Sequence, residues 1–132
     1  MRKITGTILF AACLSAASPA LAEGDAVAGA TVFNGKCKVC HDAIEEKDKI
    51  GPHLVGVVGR TAGTLESFTG KYSAAMVGAA AAGLVWDEAN LAGYLRSPKE
   101  FMPGNRMAFA GLKDDADVSN VIAYLKAAEK PE

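Results

Sequence analysis

The stretch KCKVCHD, residues 36–42, sets Cys37 and Cys40 three positions apart and puts His41 directly after the second cysteine. Three chemistries use those residue types. A Cys-x-x-Cys dithiol exchanges disulfides when one thiol is acidified at a helix N-terminus, usually beside a βαβ pattern. Thiolates and an imidazole also ligate zinc, but a closed zinc site draws its donors from two separated pairs, and no second pair stands in this sequence. Haem attachment employs the whole pattern. Two thiols add to the two porphyrin vinyl groups along one edge of the ring, and the adjacent histidine offers its imidazole to the iron.

The rest of the chain bears on that choice. Its 132 residues amount to one domain, opened by a stretch unlike domain sequence. Arg2 and Lys3 precede the apolar run ITGTILFAACLSAA, and small residues at Ala20 and Ala22 lead into EGD. That is the pattern of a secretory signal peptide over residues 1–22, with the domain at residues 23–132. A rival reading takes FAAC as a lipoprotein box acylated at Cys13, but Phe10 and the short apolar run match it poorly. Export removes Cys13, so Cys37 and Cys40 become the only cysteines of the mature sequence. It also removes two of the 14 basic residues and none of the 15 acidic ones, leaving a chain more acidic than the formal −1 of the whole. Such a balance argues against nucleic acid as a partner. No other apolar run approaches the roughly 20 residues that a membrane span needs, so the mature chain is expected not to be integral to the membrane; it is also expected to be a monomer.

Three stretches have helical spacing and none reads convincingly as a strand, which makes the fold class all-α. GDAVAGATVFNGK carries Val32 and Phe33 with Ala26, Gly29 and Ala30 behind them, and runs into the cysteines. DEANLAGYLRSP offers Asp87 as an N-cap, Leu91, Tyr94 and Leu95 on one face, and Pro98 as a stop. DDADVSNVIAYLKAAEK has acids at its start, lysines at its end, and Val118, Val121, Ile122 and Leu125 on one stripe. AAMVGAAAAG reads as a further short helix whose limits Gly78 and Gly83 blur. One-faced helices joined by loops as long as IGPHLVGVVGRTAGT and MPGNRMAFAGLK need something apolar to wrap around.

CKVCH, GPHLVGVVGR, NLAGYLRSP, MPGNRMAFAGLK and VIAYLK occur in an order and spacing that resembles the class I cytochromes c, across residues 24–128. The resemblance implies a class I cytochrome c fold, with N- and C-terminal helices crossing and helices and loops wrapped around one covalent haem c. It implies a soluble carrier of single electrons rather than an enzyme, with Cys37 and Cys40 as attachment points and His41 and Met107 as iron ligands. A His and Met pair fills both axial positions, and the soft thioether favours reduced iron. Met102, just before Pro103, is the second candidate for the sixth ligand, while Met76 reads as a core filler. His53 follows His41 too closely to reach the opposite side of the ring and reads as a loop or surface histidine.

The same resemblance assigns the carbonyl of Pro52 to the other ring nitrogen of His41 and places Tyr94 beside the methionine sulfur. Arg60, Tyr72 and Trp86 match the groups that hold a buried haem propionate, and Asn105 stands where threonine is usual and could add to them. Gly29 and Phe33 match a helix contact with Val121 and Tyr124.

Lys36 and Lys38 beside the motif, with Lys99, Arg106 and Lys113 around the methionine loop, form a local basic ring able to steer an acidic partner. The expected location is the periplasm. Family precedent gives a membrane quinol-oxidising cytochrome complex as donor, and a terminal oxidase, photosynthetic reaction centre or periplasmic dehydrogenase at the other end. Two alternatives compete: a haem enzyme or gas- or peroxide-binding module with a weak sixth ligand, and a haem module fixed within a larger oxidoreductase.

Overall fold

A computed structural model describes residues 23–128; the expected signal peptide at 1–22, with Cys13, lies outside them. Helix α1 spans Ala26–Lys36 and begins where the Asp25 carboxylate accepts the N–H groups of Val27 and Ala28. It ends at the cysteine motif, where the Cys37 N–H still donates to Phe33 O. The alanine-rich stretch forms α2, Ala74–Ala81, capped by Ser73 Oγ accepting the Met76 N–H at 3.1 Å. Asp87 caps α3, Glu88–Arg96, by accepting the Asn90 N–H at 2.8 Å.

Pro98 is more than a stop. The helix before it ends at Arg96, and Pro98 opens a further turn, α4, Pro98–Phe101, at the position where its missing N–H has no partner to lose. Asp114 caps α5, Asp115–Ala127, through the Ala116 N–H. Among the described residues, β-type pairing is confined to one antiparallel bridge between Thr61 and Val85.

The first and last helices cross where their backbones touch. A Cβ at Gly29 would stand 1.9 Å from Asn120 O, so only glycine fits the crossing. Beside it the Phe33 and Tyr124 rings lie 5.3 Å apart. The predicted stripe of α5, Val118, Val121, Ile122 and Leu125, is buried throughout. Leu91, Ala92 and Tyr94 of α3 join the same core.

His53 departs from the surface placement expected of it. It lies on a loop but is only 6% exposed. Asp48 Oδ1 accepts its N–H at 2.9 Å and Arg60 Nη2 donates to its carbonyl at 3.2 Å, which folds the loop inward. Its Nδ1 is buried without a hydrogen-bond partner among the described residues.

Candidate functional site

A cleft of about 330 Å³ opens against the core, walled by apolar side chains that include Phe33, Leu54, Val57, Phe68, Leu91 and Leu125. Cys37, Cys40, His41, Arg60, Tyr72, Trp86, Tyr94 and Met107 all border it. Residues spread over 71 positions of sequence thus converge on one space, carried there by the end of α1, the loops and α3.

Both cysteines are free and half-buried. The Cys37 thiol is pushed up to about 11, first by burial and then by neighbouring Cys40, against the pull of Lys36. A thiol that stays protonated at neutral pH is the opposite of an acidified redox dithiol. The motif also lies at the C-terminus of α1, not at a helix N-terminus. Among the described residues no three His, Cys, Asp or Glu side chains gather as a metal-holding group, so the zinc reading has no support.

The His41 Nδ1 stands 2.7 Å from Pro52 O. A carbonyl only accepts, so Nδ1 carries the proton and donates, and Nε2 keeps its lone pair for a metal. Burial, and secondarily the charge of Lys49, push the imidazole pKa below its ordinary value against the opposing Pro52 bond, which favours the neutral ring. Gly51 makes this packing possible: a Cβ there would meet His41 Cε1 at 2.3 Å.

Across the site, the Tyr94 hydroxyl donates to Met107 Sδ at 3.8 Å. Burial pushes that hydroxyl up to about 12, so it remains a donor through the neutral range. Met102, the second candidate, is buried in the core and does not border the cleft. Met76 borders it from α2. The loop carrying Met107 is organised by Asn105, whose amide donates to Pro98 O at 2.9 Å and Met102 O at 2.8 Å while its oxygen accepts the Met107 N–H at 2.9 Å. Both donor hydrogens of Asn105 are therefore engaged with backbone, which removes it as a propionate donor.

Arg60 reaches the cleft with its guanidinium anchored on Val55 O at 3.3 Å and His53 O at 3.2 Å. The Trp86 N–H donates to Arg60 O at 2.8 Å, so these two positions are joined through the backbone, and the Trp86 ring rests 4.9 Å from that of Tyr94. The Tyr72 hydroxyl accepts the Leu65 N–H at 3.3 Å. A guanidinium, a phenol and an indole bordering one apolar cavity suit a buried carboxylate, which must be paired or hydrogen-bonded.

The rim is cationic. Lys36, Lys71 and Arg106 border the cleft, and among the described residues no Asp or Glu does. Lys71 is not evident from the sequence, because FTGKYS gives no sign of which way its lysine faces. Lys38, Lys99 and Lys113 are exposed but stand outside the wall. Val39 and Ile50, 76% and 79% exposed, complete the border with apolar surface.

Two thiols, an imidazole with a free Nε2 and a thioether around an apolar cleft fit haem c. The cytochrome c family model matches residues 26–129, and the chain belongs to this family. Its helical architecture makes it a class I cytochrome c: an electron carrier whose cofactor is covalently bound haem c. It is 53% identical over 93 residues to cytochrome c2 iso-2 of Magnetospirillum fulvum, covering 70% of this chain and 92% of that protein. Cytochrome c2 of Agrobacterium tumefaciens is 44% identical over 113 residues, 83% of this chain and 98% of that one. Among solved structures, cytochrome cH from Methylobacterium extorquens superposes with a TM-score of 0.68 at 44% identity, covering 79% of this chain and 99% of that chain.

Proposed function

We propose that Cys37 and Cys40 would hold the haem through two thioether bonds and that His41 Nε2 and Met107 Sδ would ligate its iron. When bound, the haem supplies a one-electron couple between ferrous and ferric iron. The chain does the rest. Pro52 fixes the tautomer of His41, Tyr94 and Asn105 hold the Met107 sulfur in place, and the apolar walls exclude water and disfavour added charge. Arg60, Tyr72 and Trp86 receive a propionate. With His41 and Met107 both committed to the iron, a bound haem would offer a reacting substrate no open position, which supports a carrier and not an enzyme.

The cationic rim with apolar Val39 and Ile50 suits brief contact with acidic partners. We assign a membrane quinol-oxidising cytochrome complex as donor and a terminal oxidase, photosynthetic reaction centre or periplasmic dehydrogenase as the other partner. Residues 1–22 direct export, and residues 23–132 work in the periplasm as a soluble monomer. No helix among the described residues is long and apolar enough to cross a membrane.

The observation that carries this reading is the convergence of the His41 imidazole and the Met107 thioether on the cleft that also holds both cysteines. Mass spectrometry of the protein exported from a host equipped for haem attachment tests it. The expected product begins at Glu23 and carries the mass of one haem, lost when Cys37 and Cys40 are both replaced by alanine. A stable exported chain without added mass would overturn the reading.

A further inference from the structure

Residues 48–53 form a strap across the back of the attachment motif. The Asp48 carboxylate closes it by accepting the His53 N–H. Backbone bonds tie it down on both sides: Gly51 N–H donates to Cys40 O at 2.9 Å and Leu54 N–H to Asp42 O at 2.7 Å. Lys49 lies in the middle, and its ammonium turns inward. It donates to Lys38 O at 2.9 Å and His41 O at 3.4 Å, and stands 3.6 Å from Asp42 Oδ2, with only 26% of its side chain exposed.

An ammonium has three hydrogens to give and is strongly hydrated in water. Here two carbonyls and a carboxylate replace much of that hydration. The carbonyls belong to the turn that follows the C-terminus of α1, where cations are favoured electrostatically. Lys36 and Lys38, by contrast, are exposed.

We infer that Lys49 is a positioning residue for the haem site, an inference that rests on His41 being the iron ligand. Its ammonium locks residues 37–41 against the strap and so holds the His41 ring on Pro52. Its fixed positive charge, held beside the ligand, disfavours the extra positive charge of ferric iron. Removing it also leaves the negative charge of the Asp42 carboxylate without this counter-cation, and an uncompensated anion favours ferric iron. The change acts towards a lower midpoint potential.

Holoproteins carrying Lys49→Met, Lys49→Gln and Lys49→Arg, compared with wild type by spectroelectrochemistry, test the inference, with hydrogen exchange at the Gly51 amide as a second readout. The wild-type spectrum is read first: without a low-spin six-coordinate signature it is the ligand assignment that fails. With that signature present, the Met and Gln variants should show a downward shift in potential and faster Gly51 exchange, and the Arg variant should hold both near wild type. Wild-type potentials in the Met and Gln variants would overturn the inference. Should the Met variant yield no holoprotein, restoration of haem incorporation by Arg supports the role, and failure of Arg to restore it overturns it.

Discussion

The Tyr94 hydroxyl donates to the Met107 sulfur at 3.8 Å, from a helix to a loop thirteen residues further along the chain. A sulfur lone pair engaged in this way is held in one orientation. Tyr94→Phe keeps the ring contact with Trp86 and removes only the donor. Haem incorporation should persist, stability should fall by about 1 kcal/mol, the net worth of an ordinary hydrogen bond, and the midpoint potential should shift. Spectroelectrochemistry combined with a urea titration checks both effects.

Asn105 predicts a larger change in the same loop. Replacing it with alanine removes two donors to backbone carbonyls and the acceptor of the Met107 N–H. At about 1 kcal/mol for each bond, an added ligand such as imidazole or cyanide should displace Met107 roughly 10- to 100-fold more readily. Optical titration of the ferric protein measures this directly.

Gly29 sets helix propensity against packing. Alanine is the better helix former by about 1 kcal/mol, yet its Cβ would fall 1.9 Å from Asn120 O on the crossing helix. Backbone cannot yield as a flexible side chain does, and overpacking of this kind costs about 1–3 kcal/mol or more. Gly29→Ala should therefore lower stability, by up to about 2 kcal/mol net, read from urea midpoints; a stabilised variant would show that the crossing is looser than the structure has it.

Asp48 makes a prediction about acid. Burial pushes its carboxyl up, but the His53 N–H, the Ser67 hydroxyl and nearby positive charge outweigh it, and the net pKa lies below the ordinary value. A carboxyl depressed in the folded state contributes stability that is whole above its unfolded pKa of about 3.9 and is lost as pH falls through the lower folded value. Wild type should exceed Asp48→Asn in stability at neutral pH, with the gap closing as the pH is taken below about 4. Urea midpoints of both proteins, measured from neutral pH down into that window, give the comparison.

Much of the site is legible in the sequence because its chemistry is written in local spacing. KCKVCHD alone leaves dithiol, zinc and haem open, and the absence of a second ligand pair and the later methionine loop favour haem; the stripe of α5 announces its buried face, since Val118, Val121, Ile122 and Leu125 recur at the helical period. What escapes is side chain meeting distant backbone. Nothing local tells that the Lys49 ammonium turns inward or that Asn105, at the cleft border, gives both amide hydrogens to backbone carbonyls of its own loop. His53 escapes for the same reason: polar and beside a proline, it resembles a surface residue, yet contacts to Asp48 and Arg60 draw it inside. Pro98 was legible as a break, but whether a new turn begins there depends on the packing that α4 finds.

The central claim is that His41 and Met107 are the two axial ligands of a one-electron carrier. A redox titration of the purified holoprotein followed by visible spectroscopy tests it most directly. The expected result is a single one-electron transition at positive potential, a low-spin spectrum in both oxidation states, and loss of the sulfur ligation signature in Met107→Ala but not in Met102→Ala. A high-spin ferric haem that binds cyanide or carbon monoxide readily in the unmodified protein would contradict it.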